Sequence, residues 1–591
     1  MRKALLFLLA ASSLFAAGAT PRPEFPQPQF QREQWLNLNG NWEFEFDDAG
    51  AGLAEKWETG TRKFSRNIVV PYCFESKLSG IGDTGYHRWV WYRRSFTVPP
   101  EWKGRRLLLH FGAIDYRATV WVNGREAGSH TGGFTPITLD ITPYATPGVN
   151  VITVRADDNP TDRSIPRGKQ YWGPASRSIW YTRSSGIWQT VWLEPVSETH
   201  LESVRITPAT DGVVRFEPAI AGDLAKLEFH AIIRFSGEVV SEASAAVREA
   251  RPTVIGGVGS PRLWSPNRPN LYDVTFELRR GAEVLDRVQS YFGFRSISTE
   301  NGRVLLNGTP IYLKAVLDQG FWPESILTPP TDEAIQYDIR MIKEMGFNAA
   351  RKHQKVEDPR YLYWADRMGL LVSEEMANAQ IFNDSYVERF TREWMEVVER
   401  DYNHPSIVIW APVNESWGVP DLASDPRQQN HVRSLYLLTK TLDSTRLAID
   451  NEGWDHGDMT DLWALHNYAR TGDVLYNEYK DMSPEHAPSL LRGYRYNGSP
   501  FYLSEFGGIA YIPQGAAVPK EAWGYSGVEK TPEDALARMR GLYEAIRRLP
   551  YAGICYTQLT DVEQEVNGLM TYDRKPKFDS KLVKEINDLL R

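Results

Sequence analysis

The sequence predicts a multidomain chain: a β jelly-roll, then an immunoglobulin-like β-sandwich, then a C-terminal (β/α)8 TIM barrel. Three observations predict it. The chain has 591 residues, and single hydrophobic cores stop growing at roughly 250–300 residues, so several domains are required. Its first half reads as short, aromatic-rich, alternating strands broken by turns, as half-buried antiparallel sheets do. From about Thr299 the texture changes to apolar strands alternating with amphipathic helices, the pattern of a parallel barrel.

The elements follow in order. Residues 1–19 read as a signal peptide, with basic Arg2-Lys3, an apolar run from Ala4 to Ala17 and a small-residue cleavage site at Ala17-Gly18-Ala19. That run is shorter than the ~20 residues that span a bilayer. No later segment is long and apolar enough either, so the mature chain is expected to be secreted or periplasmic, without membrane association. Residues 20–32 are Pro-rich and read as an extended linker. The first sandwich is placed at 33–197, on strands such as NGNWEFEF (Asn39 to Phe46) and WVWYRRSFTV (Trp89 to Val98), with Asn123-Gly124 as a hairpin signal. The second is placed at 198–298, on KLEFHAIIRF and LYDVTFELRR.

The barrel is placed at 299–591. Its strands are expected at Ile311–Val316, Phe347–Arg351, Leu370–Glu374, Ile407–Val413, Leu447–Asp450, Leu462–His466, Phe501–Ser504 and Gly553–Thr557. Between the first two, TDEAIQYDIRMIKEMG has a capping Thr331, acidic residues in its first turn and a terminating Gly346.

Composition narrows the chemistry. A net charge of -8 creates no field that attracts polyanions, which argues against nucleic acid and anionic membranes as partners. Twenty Trp suit stacking on sugar rings, although sandwich cores use aromatics too. The only cysteines, Cys73 and Cys555, fall in different expected domains, so no disulfide is expected. No His/Cys/Asp cluster has ligand spacing, so neither a metal nor another cofactor is expected. Nothing in the sequence signals an oligomeric state.

Barrel active sites lie at the C-terminal ends of the strands. The fourth expected strand ends on Asn414-Glu415 and the seventh on Glu505. Two carboxylates ending apolar strands are costly to bury unless paired or used. Such a pair is what glycoside hydrolysis needs: one acid to protonate the leaving oxygen, one carboxylate on the opposite face of the sugar.

The runs that carry these residues, DYNHPSIVIWAPVNESWG (Asp401 to Gly418) and FYLSEFGG (Phe501 to Gly508), resemble the two signatures of glycoside hydrolase family 2. GIWQTVWLEPV (Gly186 to Val196), LNGTPIYLKAV (Leu306 to Val316) and NGLMTYDRKPK (Asn567 to Lys577) extend the resemblance over the whole mature chain. It implies a sugar-binding-like jelly roll, a carbohydrate substrate and a retaining double displacement. In that reaction Glu415 is the acid/base and Glu505 the nucleophile, and no cofactor takes part. It further implies that Asn414 binds the sugar 2-hydroxyl and that Tyr468 and His466 line the pocket. Asp318, Arg351, Lys355 and Trp180 complete the expected substrate-binding set, with pairing to Glu357 or Glu375 as the other reading of Lys355.

Departures from the family pattern bear on the sugar. Gln354-Lys355 stand where members commonly have His-Tyr, Gln319 where they have His, Trp180 where many have an Asp, and Thr557 where a Trp is common. Glu565-Val566-Asn567 replaces the Asn-x-Lys with which family glucuronidases hold the sugar carboxylate. The leading expectation is therefore an exo-acting β-galactosidase-type enzyme. An α-L-arabinopyranosidase or a β-uronidase is the alternative, and a non-catalytic carbohydrate-binding protein the reading from another class.

Overall fold

Residues 20–590 are described by a computed structural model, and the expected signal peptide lies outside the described residues. Two antiparallel sheets make the first sandwich. One has six strands, with Trp89–Thr97 and Val149–Asp157 at its centre; the other has four, including Arg106–Phe111 and Val191–Val196. Alternation places the core: along Gly40–Phe46, Trp42 and Phe44 point inward while Asn41 and Glu43 face solvent. Those rings meet Tyr92, Leu109, Phe111 and Val154 between the sheets. The second sandwich has three- and four-stranded sheets over residues 200–292, closed around Phe216, Phe229, Phe276 and Phe292.

The barrel strands are β1 (Leu313–Asp318), β2 (Ala349–Lys352), β3 (Leu371–Glu375), β4 (Ile407–Ala411), β5 (Leu447–Ala448), β6 (Trp463–Asn467), β7 (Phe501–Gly507) and β8 (Tyr551–Thr557). They hydrogen-bond in parallel in the order β5-β4-β3-β2-β1-β8-β7-β6. All eight occupy segments read from the sequence, with shifted ends. β1 begins two residues late because Thr309–Ile311 pairs antiparallel with Arg303–Leu306 instead. That small sheet sets Val304 and Leu306 into the barrel floor, against Leu313 and Leu317. β5 keeps only two ladder residues, because Asn451 and Glu452 turn to hold the loop after β4. The helix after β1 spans Asp332–Glu344; Thr331 accepts from the Ala334 N–H at 3.2 Å, and Gly346 stops it at φ 87°. No described helix is long and apolar enough to cross a membrane. Cys73 and Cys555 are buried and free.

One connection positions the site. Between the jelly-roll strands Val149–Asp157 and Gly186–Ile187, residues 158–185 leave the sandwich and cross the barrel mouth as a strap. The Gly168 N–H donates to Asn378 O after β3 (3.0 Å), and the Gln380 N–H donates to Arg163 O (2.9 Å). On the opposite rim Glu563 accepts from the Thr182 N–H at 3.0 Å, and Trp523 Nε1 donates to Ser178 O at 3.0 Å. Gly168 has φ 58°, and a Cβ there would sit 1.9 Å from Gln354 O, so the strap meets the barrel at a point only glycine allows.

Candidate active site

Glu415 follows β4 in a backbone conformation that a non-glycine residue rarely adopts, with φ 51°, and Ser416 follows at φ 57°. Strain of this kind persists where the surroundings over-determine it. Here the Asn414 N–H donates to Asn378 Oδ1 (2.8 Å), the Glu415 N–H to Glu452 O (2.8 Å) and the Ser416 N–H to Asn451 Oδ1 (2.9 Å). The loops after β3 and β5 thus clamp the turn and aim Glu415 into the mouth. Glu505 comes from within β7, where the register against β6 and β8 shifts and sets it opposite His466.

The two glutamates converge. A carboxylate oxygen of Glu415, a ring nitrogen of His466 and a carboxylate oxygen of Glu505 all lie within 4.8 Å of one another. His466 Nδ1 is 2.8 Å from Glu415, and Nε2 is 3.5 Å from Glu505, within ion-pair reach but outside hydrogen-bond alignment. By atom type the trio could also ligate a cation; in this structure His466 instead bridges the two carboxylates. Carboxyl groups ~5–5.5 Å apart accompany retention, and ~6.5–9.5 Å inversion. The nearest oxygens of this pair, within 4.8 Å, suit the shorter spacing.

Arg351, fully buried at the end of β2, organises the floor of the site. Its guanidinium donates to Glu505 Oε1 (2.9 Å), Ser504 O (2.8 Å), Asn414 Oδ1 (2.7 Å) and Glu375. It fixes both strand ends from beneath and is a positioning residue. Because Asn414 Oδ1 is engaged there, its Nδ2 is left without a partner among the described residues. Tyr468 donates to Glu505 Oε2, lies 3.2 Å from Thr557 Oγ1 and stacks on Tyr525 at 3.5 Å. Burial pushes the Glu505 carboxyl up, but His466, the Arg351 guanidinium and the Tyr468 hydroxyl outweigh it and hold it well below the usual carboxylate range. Burial is also the main influence on Glu375 and Glu452, and there it prevails, so both are pushed up. Of these three buried carboxyls, Glu505 is the one whose ionised form the surroundings favour over burial.

Trp180, on the strap, stacks on Trp417 from the loop after β4, with ring centres 4.6 Å apart, and forms an aromatic rim. Two expected substrate-binding residues do not join the site. Asp318 accepts from Lys352 Nζ at 2.6 Å and from the Gly320 N–H at 2.9 Å. Lys355 donates to Gly320 O and Leu327 O (2.8 Å each) and pairs with Glu357 at 2.8 Å. With Lys352 2.7 Å from Glu357, the four form a buried chain of alternating charge, so no ammonium hydrogen of Lys355 remains for a sugar. Pairing with Glu357, the other reading of Lys355, is what the structure holds.

Sequence reasoning missed several neighbours. His353 bonds to Glu375 through Nδ1 (2.9 Å), and burial lowers its pKa well below the usual imidazole range. Tyr525 backs Tyr468. Glu565 accepts from Tyr181 and from Asn567 Nδ2 (3.0 Å); Asn567 accepts from Gln558 (2.7 Å), which accepts from Gln319 (2.8 Å), which donates to Tyr181 (2.8 Å). Gln319 and Glu565, two of the departures, thus satisfy each other through a closed ring of hydrogen bonds. Gln319 follows β1 directly, but Glu565 lies eight residues beyond β8, so nothing local in the sequence pairs them.

A (β/α)8 barrel presenting a short-spaced carboxylate pair from the ends of β4 and β7, beneath a sandwich-borne strap, is the architecture of a glycoside hydrolase. Comparison with known families gives the particular assignment. The chain matches "Glycosyl hydrolases family 2, sugar binding domain" over residues 36–191, "Glycosyl hydrolases family 2" over 199–295 and "Glycosyl hydrolases family 2, TIM barrel domain" over 297–590. It belongs to glycoside hydrolase family 2, whose members are retaining O-glycosyl hydrolases. A β-glucuronidase of Paenibacillus borealis is 25% identical over 95% of this chain and 98% of its own. A β-galactosidase of Thermoanaerobacter pseudethanolicus is 29% identical over 78% of this chain and 60% of its own. The chain spans 47% and 57% of two Formosa agariphila relatives, 27% and 24% identical to it. The crystal structure of Ruminococcus gnavus β-glucuronidase superposes with a TM-score of 0.79 at 21% identity, over 95% of this chain and 98% of that one.

Proposed function

We propose that the chain is a retaining exo-β-glycosidase whose glycone is a uronic acid. The observation that carries the reaction type is the approach of Glu415 and Glu505 to within 4.8 Å with His466 between them. Glu505 attacks the anomeric carbon while Glu415 protonates the leaving oxygen. Glu415 then takes a proton from the water that releases the sugar from Glu505. Asn414 Nδ2, unpartnered and buried, donates to the 2-hydroxyl.

Two observations favour an acidic glycone over the galactoside expected from the sequence. Relatives matched over nearly their whole length include β-glucuronidases, and a structure of the R. gnavus enzyme is in complex with D-glucuronic acid. Glu565, which stands in the segment that replaces the glucuronidase Asn-x-Lys, has partners of its own. Its two oxygens accept from Tyr181 and Asn567, so both are already engaged within the protein. A galactoside remains the second reading, on the T. pseudethanolicus relative. Aryl β-glucuronide, β-galactoside and α-L-arabinopyranoside should be compared by kcat/KM. The proposal expects the glucuronide to be the best of the three, and a galactoside preference overturns it.

A further inference from the structure

We infer that Lys169, carried by the jelly-roll strap, is the cation that anchors the carboxylate of the glycone in the barrel's pocket. The inference rests on the uronide reading and names the residue that would enforce it. Four lysines are buried among the described residues: Lys169, Lys352, Lys355 and Lys577. Three face a carboxylate, Lys352 on Asp318 at 2.6 Å, Lys355 on Glu357 at 2.8 Å and Lys577 on Asp561 at 2.6 Å. Lys169 is 6% exposed and has no ion pair or side-chain hydrogen bond among the described residues. The ammonium lies 5.2 Å from the Trp417 ring centre, and the acid its charge acts on, Glu565, makes no hydrogen bond or ion pair with it. A cation–π contact compensates only part of what a buried ammonium loses on leaving water.

The position fits a sugar-borne anion. The Gly168 N–H donates to Asn378 O, and the Tyr181 N–H donates to Lys169 O at 2.9 Å, so the Lys169 backbone is fixed from both sides. Trp417, whose ring the ammonium faces, lies two residues beyond Glu415 on the same loop. The Lys169 charge acts on Glu565 on one side and on His353, next to Glu505, on the other. The other buried lysines are already engaged: Lys355 is spent on Glu357, and Lys577, in the loop carrying Glu565-Val566-Asn567, on Asp561. A carboxylate on the glycone would give Lys169 the charge-assisted hydrogen bond that the other three buried lysines already have.

The test compares an aryl β-glucuronide with the matching aryl β-glucoside, which differ only in carboxylate against hydroxymethyl, by kcat/KM in wild type, Lys169→Met and Lys169→Arg. The glucuronide-to-glucoside ratio should fall about ten- to hundredfold in Lys169→Met, the range of a lost hydrogen bond to a charged group, and recover in part in Lys169→Arg. If Lys169→Met folds poorly, Lys169→Gln reads the same ratio. A ratio unchanged within twofold, with the wild type preferring the glucuronide, overturns the role of Lys169 and leaves the uronide reading standing. A wild type that does not prefer the glucuronide overturns both, and it does so before any variant is made.

Discussion

Replacing Glu415 separates its role from that of Glu505. Its side chain is 20% exposed and, among the described residues, hydrogen-bonds only His466 Nδ1, at 2.8 Å. Glu415→Ala therefore forfeits a single partly buried hydrogen bond, about 1 kcal/mol of stability. The catalytic loss is larger and depends on the substrate. General acid catalysis supplies about a hundred- to ten-thousandfold, or roughly 3–5 kcal/mol. That full loss should appear on aryl glycosides with poor leaving groups. A dinitrophenyl glycoside, which leaves without protonation, should form the glycosyl-enzyme almost normally and then stall, because no base activates water. Azide needs no base: it should restore turnover and yield the β-glycosyl azide. The assay is kcat/KM across leaving groups of graded acidity, kcat on the dinitrophenyl glycoside with and without azide, and melting temperature as the folding control. A loss equal for all leaving groups, or no rescue by azide, would refute the assignment of Glu415.

Gly168→Ala should shift the strap, since its Cβ has 1.9 Å to Gln354 O and φ is 58°; KM should rise while melting falls by the equivalent of about 1–3 kcal/mol. An unchanged KM would mean that the strap does not line the substrate site. Glu357 reports the buried ion chain. Burial raises its pKa, but Lys352 and Lys355 bring it from the ordinary 4.5 down to about 2. A depressed carboxyl stabilises the fold above its unfolded pKa, and that contribution is lost as pH falls toward the folded one. The shift is worth about 3 kcal/mol, so the melting gap between wild type and Glu357→Gln should narrow from pH 5 to pH 2. A constant gap contradicts the pairing.

Local signals carried much of this reading. Each barrel strand is a short apolar run, and both catalytic candidates end such runs, so strand order alone brings Glu415 and Glu505 to one rim. Thr331 and Gly346 marked their helix because caps are local. The residues that escaped are those placed by long-range packing. The strap around Lys169 and Trp180 reads as an ordinary loop between sandwich strands, and nothing within it says that it crosses to the loops after β3, β7 and β8. Arg351 could be singled out at a strand end, but its downward set of four acceptors depends on β3, β4 and β7 together. Asp318 and Lys355 misled for the same reason: a charged residue just past a barrel strand points either into the mouth or beside it, and only the partner, Lys352 or Glu357, decides.

The central claim is that Glu505 forms a covalent bond to the sugar. An activated 2-deoxy-2-fluoro glycoside slows release of that intermediate, so incubation followed by peptide mass spectrometry reads the labelled residue directly. The account predicts one fluorosugar per chain on the peptide containing Glu505, no label in Glu505→Gln, and product of retained β configuration from a normal substrate. A label on another carboxylate, or an initial product of inverted configuration, would contradict it.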